Sequence, residues 1–204
     1  AALVARELAA CIGVDMSAMH AYYVARLAAG QTDRTLADTG VEFSKLVHAV
    51  EDAGIVPEAA WPLDLEQINR PPPNQLTPIK DTLFFHSVPA THIKTSDEQV
   101  GFVCEMNEPF KEFINDPSRF TNVFRGCMDS VPTSLEGHAM TIVDYDPNIT
   151  EGGAYYCRSS WGGNFGACGN IFMPAYYIEN PRRCEQFYVA RTTSQWSLVR
   201  FLGL

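Results

Sequence analysis

The sequence has no long hydrophobic run, no basic cluster and no internal repeat. None of its apolar stretches approaches the ~20 residues that cross a bilayer, so we predict no membrane span. Among its 204 residues, 15 are Lys or Arg and 24 are Asp or Glu. The resulting net charge of −9 argues against nucleic acid or an anionic membrane surface as a partner. With 46% hydrophobic residues, the chain suits one domain or two closely packed halves.

The sequence also lacks cysteines and histidines at the spacings typical of metal sites. Six cysteines are widely separated along the chain and form no C-x-x-C pair, so no zinc site is predicted. They are Cys11, Cys104, Cys127, Cys157, Cys168 and Cys184. His48, His86 and His92 have no cysteine or carboxylate at ligand spacing and are interpreted as structural. We therefore expect no metal and no cofactor, and mostly reduced, buried thiols rather than a disulfide framework.

The chain begins Ala1-Ala2-Leu3, without a methionine, a charged leading region or a cleavage pattern after a hydrophobic stretch. We interpret this as a processed or truncated end rather than an intact signal peptide. The cellular compartment is left open by the sequence.

Apolar residues at helical spacing predict three helices in the first quarter of the chain. The first ends near Gly13, and the second covers residues 17–30, with Ser17 as its N-cap. The third begins at Thr39 or Gly40 and ends at Gly54. His20, on the second helix, is expected at the surface or in the cap.

From residue 83 onward, alternating apolar and β-branched patterns predict strands. The predicted strands are Leu83–Phe85, Val100–Met106, Ala139–Tyr145, Ala154–Arg158, Asn170–Met173 and Gln186–Arg191. A single helical turn is predicted over Pro109–Asn115. Three prolines after Arg70 exclude helix interior and central strand, and we interpret that segment as the crossing between two halves. Helices first and strands later indicate an α+β fold, with a helical lobe over 1–75, a β-sheet lobe over 76–204 and a site in the cleft between them.

One predicted hairpin contains the candidate functional residues. Residues 139–145 alternate with period two, and Asp146-Pro147-Asn148 with Gly152-Gly153 supplies a turn. The return strand ends in R-S-S-W-G, so His138 and Ser159 are expected close together across the sheet. An acid pair at Asp144 and Asp146 is better explained by the strand end and turn.

The hairpin resembles the histidine half of the papain-like cysteine peptidases. The family patterns are G-H-A-V-x-x-V-G-Y and R-N-S-W-G-x-x-W-G-x-x-G-Y, which resemble residues 137–145 and 158–170. Upstream, A-G-I-V-P-E-A-A-W-P-L-D and V-G-F-V-C-E-M-N-E-P-F also resemble family segments. M-S-A-M-H-A-Y-Y-V-A-R resembles a helix of the branch seen in bacteria and large DNA viruses. The resemblance implies a papain-like two-lobed fold.

The resemblance also implies roles. His138 takes the position of the catalytic base, Ser159 that of the asparagine that orients it, and Trp161 that of the indole that shields their hydrogen bond. In an arbitrary protein His138 would more often be a structural histidine. Beyond Trp161, Phe165 replaces a second tryptophan, Ala167 replaces an acidic position and Cys168 follows it.

The nucleophile is the gap in this resemblance. The matched helix puts the nucleophile position before or at the first residues, where no cysteine stands, and the oxyanion glutamine is missing too. Cys11 is a poor substitute because it lies more than two turns into a helix, away from the N-terminal end that lowers a thiol pKa.

Three hypotheses follow. The first is an inactive papain-like homologue that acts as a structural or protein-binding component, holding a protein or peptide in the interlobe cleft, alone or in a larger assembly. The second is an active cysteine endopeptidase whose nucleophile lies in an N-terminal segment missing from this chain. In the third, Cys11 or Cys168 has taken over in transferase-like chemistry.

Overall fold

A computed structural model describes residues 1–73, 75–80, 83–96, 98–104, 137–163 and 167–192, with Leu83 and Cys104 described by their backbone alone. The chain divides into two compact units. The first comprises Ala1–His86 with the segment that begins at Ala190, and the second comprises Ser87–Val189. The lobe boundary predicted at residue 75 stays a prediction, and the turn predicted over Pro109–Asn115 lies outside the described residues.

Three helices form the first unit, as the apolar spacing predicts: α1 over Ala2–Ile12, α2 over Ala18–Ala28 and α3 over Phe43–Ala53. The end of α1 at Gly13 is confirmed, since this glycine has φ 79° and donates its N–H to the Ala9 carbonyl. The N-cap at Ser17 is also confirmed, because its hydroxyl accepts the His20 N–H at 3.0 Å.

The predicted start of α3, at Thr39 or Gly40, is three or four residues too early. Gly40 has φ 72°, outside the helical region, and its N–H donates to the Tyr22 hydroxyl at 3.1 Å. This glycine therefore belongs to the preceding loop, and the helix begins only after Glu42. The end at Gly54 is as predicted, with its N–H donated to Val50 at 2.8 Å.

Side chains of α2 hold the loop over residues 31–40. Tyr22 donates to Asp38 at 2.5 Å, and Tyr23 donates to Asp33 at 2.8 Å. Arg26, which is 1% exposed, donates to the Ile68 carbonyl and to the Asn69 side chain. Its guanidinium also lies 4.2 Å from the centroid of the Tyr22 ring. A buried cation thus ties α2 to the loop that contains Ile68 and Asn69.

His20 is buried, which corrects its predicted surface position. It is 4% exposed, and its ring meets Trp61 edge-on with centroids 6.4 Å apart. Burial lowers the pKa of His20 to about 4. The indole comes from a loop 41 residues further along the chain, after the short 3₁₀ turn Glu58–Ala60, and the Ser17 hydroxyl donates to the Trp61 carbonyl at 2.6 Å.

Six strands form an antiparallel sheet of order β1-β6-β2-β3-β4-β5. The strands are β1 Leu83–Ser87, β2 Val100–Cys104, β3 His138–Asp146, β4 Ala154–Arg158, β5 Asn170–Pro174 and β6 Cys184–Thr192. A short helix, α4, covers Ala175–Ile178, and two more 3₁₀ turns cover Leu65–Gln67 and His92–Lys94. Each predicted strand agrees with the structure to within about two residues, apart from the last two residues predicted for β2, which are not described. The α+β fold class is confirmed.

The alternation predicted along β3 is interrupted by a bulge. Ile142 pairs with Cys157 and Asp144 pairs with Tyr156, so β3 advances two residues where β4 advances one. Tyr145 consequently joins Ile142 against the apolar core of the second unit, while Asp144 is exposed. The simple period of two placed Tyr145 and Ile142 on opposite faces, which is wrong.

The sheet packs its core around fully buried side chains that include Phe102, Met140, Tyr155 and Tyr177. The segment Pro71–Pro73 is irregular, as its prolines predict. Among the described residues no helix is long and apolar enough to cross a membrane.

Candidate active site

The start of β3 and the end of β4 lie side by side because the two strands are antiparallel. Thr141 pairs with Arg158, so His138 at the first position of β3 stands beside Ser159, the residue that follows β4. His138 Nε2 and Ser159 Oγ are 2.9 Å apart, a hydrogen-bond distance. The predicted proximity of these two residues is confirmed.

Ser159 is fixed from three sides. Its own N–H donates to the Gly169 carbonyl at 2.8 Å, and its Oγ accepts the backbone N–H of Trp161 at 3.2 Å. Gly169 has φ 86°, a conformation that side-chain-bearing residues rarely adopt. With 3% exposure, Ser159 is a buried hydroxyl that meets the imidazole in a fixed geometry.

The indole of Trp161 covers the imidazole of His138. The ring centroids are 4.0 Å apart and the planes differ by 26°, a stacked arrangement. Burial lowers the pKa of His138 to about 4, so the ring is neutral at pH 7. A neutral imidazole carries a hydrogen on one ring nitrogen and a lone pair on the other, and the Ser159 hydroxyl contacts Nε2.

Sequence reasoning missed two backbone groups in this arrangement. The Gly169 carbonyl and the Trp161 amide fix Ser159, yet neither is visible as a side-chain motif. The signal that points to the carbonyl is the glycine itself, which stands ten residues after Ser159 where the returning chain needs a positive φ. The amide has no such signal, because it depends on the turn that follows β4.

No protein-family model matches the sequence, and no curated protein matches it. Solved structures do match. Xylellain, a cysteine protease from Xylella fastidiosa, has a TM-score of 0.64 and 23% identity, over 88% of this chain and 71% of that chain. Procathepsin B S9 from Trypanosoma congolense has a TM-score of 0.55 and 14% identity, over 94% and 66%. The ragweed pollen protease Amb a 11, in its proform, has a TM-score of 0.54 and 19% identity, over 94% and 57%.

The chain has the papain-like fold. It spans somewhat more than two thirds of xylellain and less than two thirds of the other two proteases. The likeness concerns the path of the chain, and in this papain-like fold the assignment of His138, Ser159 and Trp161 to catalytic positions is a proposal.

Cys11 and Cys168, the two cysteines considered as a replacement nucleophile, lie in different environments. Cys11 lies in the last turn of α1 and its thiol donates to the Ala190 carbonyl at 3.1 Å. Its place at the C-terminal end of the helix is unfavourable for a thiolate, because the helix dipole is negative there. Cys168 is exposed, with φ 53°, in the turn between Ala167 and Asn170.

The side chains of Cys104 and Cys127, together with Phe165, lie outside the residues whose side chains are described. Cys157 is buried in the sheet core, and its thiol donates to the Tyr155 carbonyl at 3.7 Å. The predicted turn role of Asp146 is observed, since its carboxylate accepts the Asn148 N–H at 2.8 Å.

Two further histidines contact carboxylates. His48 Nδ1 lies 3.2 Å from Glu51, and His92 Nε2 lies 2.9 Å from Glu98. In the described part of the chain no three His, Cys, Asp or Glu side chains come together as metal ligands do.

Proposed function

We propose that this protein is a homologue of the papain-like cysteine peptidases that does not hydrolyse peptides as this 204-residue chain and serves as a structural or protein-binding component. In this proposal His138, Ser159 and Trp161 occupy the histidine half of a papain-like active site. The observation that carries the assignment is the 2.9 Å contact between His138 Nε2 and Ser159 Oγ beneath the Trp161 indole.

The contact supports the assignment because a cysteine peptidase needs an imidazole held at one nitrogen and available at the other. Here the residue that follows β4 contacts Nε2, and an indole stacks on the imidazole. Hydrogen bonds are stronger where water is excluded and the local dielectric constant is low.

Two features favour a protein without hydrolytic activity. Ser159 stands where the family pattern has asparagine, and a hydroxyl both donates and accepts, whereas the amide oxygen accepts only. Cys11, the cysteine nearest in sequence to the expected nucleophile position, lies at the C-terminal end of α1 with its thiol hydrogen bonded to Ala190.

The alternative is an active cysteine endopeptidase whose nucleophile is carried by a segment outside this sequence. The retained stacking of Trp161 on His138 favours this alternative, since a scaffold protein has no need of a shielded imidazole. The two proposals differ in one property, which is whether a thiolate reacts with an electrophile under the control of His138.

A thiol-directed epoxide probe tests this difference when it is applied at pH 7 to the native gene product, so that any segment outside this sequence is included, with mass spectrometry to locate the adduct. The exposed Cys168 is replaced in a Cys168→Ser variant, so that reaction at an accessible thiol does not hide the result. We expect no adduct beyond what His138→Ala also gives. An adduct, or cleavage of a fluorogenic peptide, that disappears in His138→Ala would overturn the inactive assignment and establish the endopeptidase.

The proposed partner is a neutral or basic protein segment, because the chain carries a net charge of −9. Fluorescence anisotropy with two peptides of equal length, one rich in lysine and one rich in glutamate, measures this preference. The lysine-rich peptide is expected to bind more tightly, with an affinity that falls as salt is added. Equal binding of both peptides would remove charge as the basis of recognition.

A further inference from the structure

Among the described residues, the hydroxyl hydrogen of Ser159 has one possible acceptor. Ser159 is 3% exposed, so its polar atoms depend on protein partners. Within the described residues its Oγ has two partners, His138 Nε2 at 2.9 Å and the Trp161 backbone nitrogen at 3.2 Å. The second partner is an amide N–H, which donates and cannot accept.

We infer that the Ser159 hydroxyl donates its hydrogen to His138 Nε2 and thereby holds the neutral imidazole with its proton on Nδ1. In the opposite arrangement Nε2–H would donate to Oγ, and Oγ would receive two donors while its own hydrogen had no acceptor among the described groups. A buried donor without an acceptor is unfavourable, so the first arrangement is preferred. The amide hydrogen bond from Trp161 strengthens this preference, because accepting a hydrogen bond makes a hydroxyl a better donor.

The consequence of this tautomer rests on the proposed function, in which His138 occupies the position of the catalytic base. A base that takes a proton from a thiol at Nδ1 needs a lone pair on that nitrogen. With the proton already on Nδ1, the imidazole has its lone pair at Nε2, directed at Ser159 instead. Ser159 is therefore a positioning residue that sets the ring in the form unsuited to proton uptake at Nδ1.

An acceptor in place of the hydroxyl reverses the assignment. An asparagine carbonyl oxygen accepts only, so Ser159→Asn requires a hydrogen on Nε2 and frees the Nδ1 lone pair. Ser159→Thr keeps a hydroxyl at the same position and serves as the matched control. Tautomers of neutral histidine are distinguished by the ¹⁵N shifts of the two ring nitrogens, in a protein labelled with ¹⁵N-histidine at pH 7.

In the wild-type chain we expect His138 Nε2 to show the shift of an unprotonated nitrogen and Nδ1 that of an N–H. Ser159→Thr should leave both shifts in place, and Ser159→Asn should exchange them. Should the asparagine variant not fold, Ser159→Ala removes the donor and is expected to abolish the preference for the proton on Nδ1. A protonated Nε2 in the wild type, or the same tautomer in all folded variants, overturns the inference.

These spectra need no turnover, so they separate this inference from the proposed function. An epoxide adduct that depends on His138 would reject the inactive assignment whatever the tautomer. A protonated Nε2 in a chain that forms no adduct would reject the inference alone.

Discussion

The indole of Trp161 lies over the imidazole of His138 with ring centroids 4.0 Å apart. Stacking at this distance replaces water on one face of a titratable ring by an apolar surface. The stack therefore belongs to the burial that keeps His138 neutral, and its contribution can be measured by removing the indole.

Replacing Trp161 by alanine is expected to raise the pKa of His138 from about 4 towards its ordinary value of 6.5. The imidazolium gains solvation when the ring is uncovered, which favours the charged form. An NMR titration of the His138 ring protons measures the shift. Trp161→Phe keeps an aromatic cover and is expected to give a smaller rise, and an unchanged pKa in the alanine variant would show that other groups bury the ring.

Acid is expected to destabilise the fold through its buried histidines. His20 and His138 both have a pKa of about 4 in the folded protein, against 6.5 ordinarily. Between these values the unfolded chain binds more protons than the folded one. Stability is therefore fully present above pH 6.5 and falls as the pH drops towards 4, by at most about 3 kcal/mol for each histidine.

Urea unfolding at intervals between pH 7 and 4 measures this loss. The slope of the unfolding free energy against pH reports how many more protons the unfolded chain binds. His20→Gln is expected to reduce that number by about one. His48→Gln, which removes a histidine whose side chain is 67% exposed, is the matched control. A His20→Gln slope equal to the wild-type slope would contradict the buried, neutral state of His20.

Arg26 is expected to contribute strongly to the stability of the helical unit. Arg26→Met keeps the apolar stem of the side chain but leaves the Ile68 carbonyl and the Asn69 side chain without their donor. We expect a loss of about 3 kcal/mol in the free energy of unfolding. Arg34→Met, at an exposed position of the neighbouring loop, should change stability by less than about 0.5 kcal/mol. A comparable loss in both variants would show that the buried contacts of Arg26 are not the cause.

Gly152 and Gly153 form a matched pair in the turn between β3 and β4. Both have positive φ, 82° and 80°, so alanine is strained at either position by about 1 kcal/mol. An added methyl group meets open space at Gly152 but overlaps the phenol of Tyr145 at Gly153. Gly153→Ala should therefore lower the thermal midpoint clearly more than Gly152→Ala does. Equal midpoints would indicate that Tyr145 moves aside at little cost.

The strands and the contact between His138 and Ser159 were largely predictable, because they depend on local signals. Turn residues bracket β4, and the hairpin alone brings His138 to Ser159. The errors arose where distant residues decide. His20 is buried by Trp61, which stands 41 positions away, and Gly40 is held in its loop by the Tyr22 hydroxyl. Nothing in the local sequence of either residue reports these contacts.

The hydrogen-bond directions at the site were beyond sequence reasoning for a different reason. The residue types at 138 and 159 allow either group to donate. The choice depends on the Trp161 amide, which is placed by the backbone after β4 rather than by any side chain.

The bulge in β3 has a consequence for how relatives of this chain are compared. Two aromatic residues face each other near the hairpin end, Tyr145 and Tyr155, while His138 lies at the opposite end of the same strand. Because the bulge adds one residue between these two ends of β3, His138 and Tyr145 lie on the same face of the sheet. A relative that is one residue shorter here must carry its aromatic side chain at the position of Asp144. If an alignment places this one-residue gap outside β3, the histidines match correctly but the residues near the hairpin turn are matched one position off.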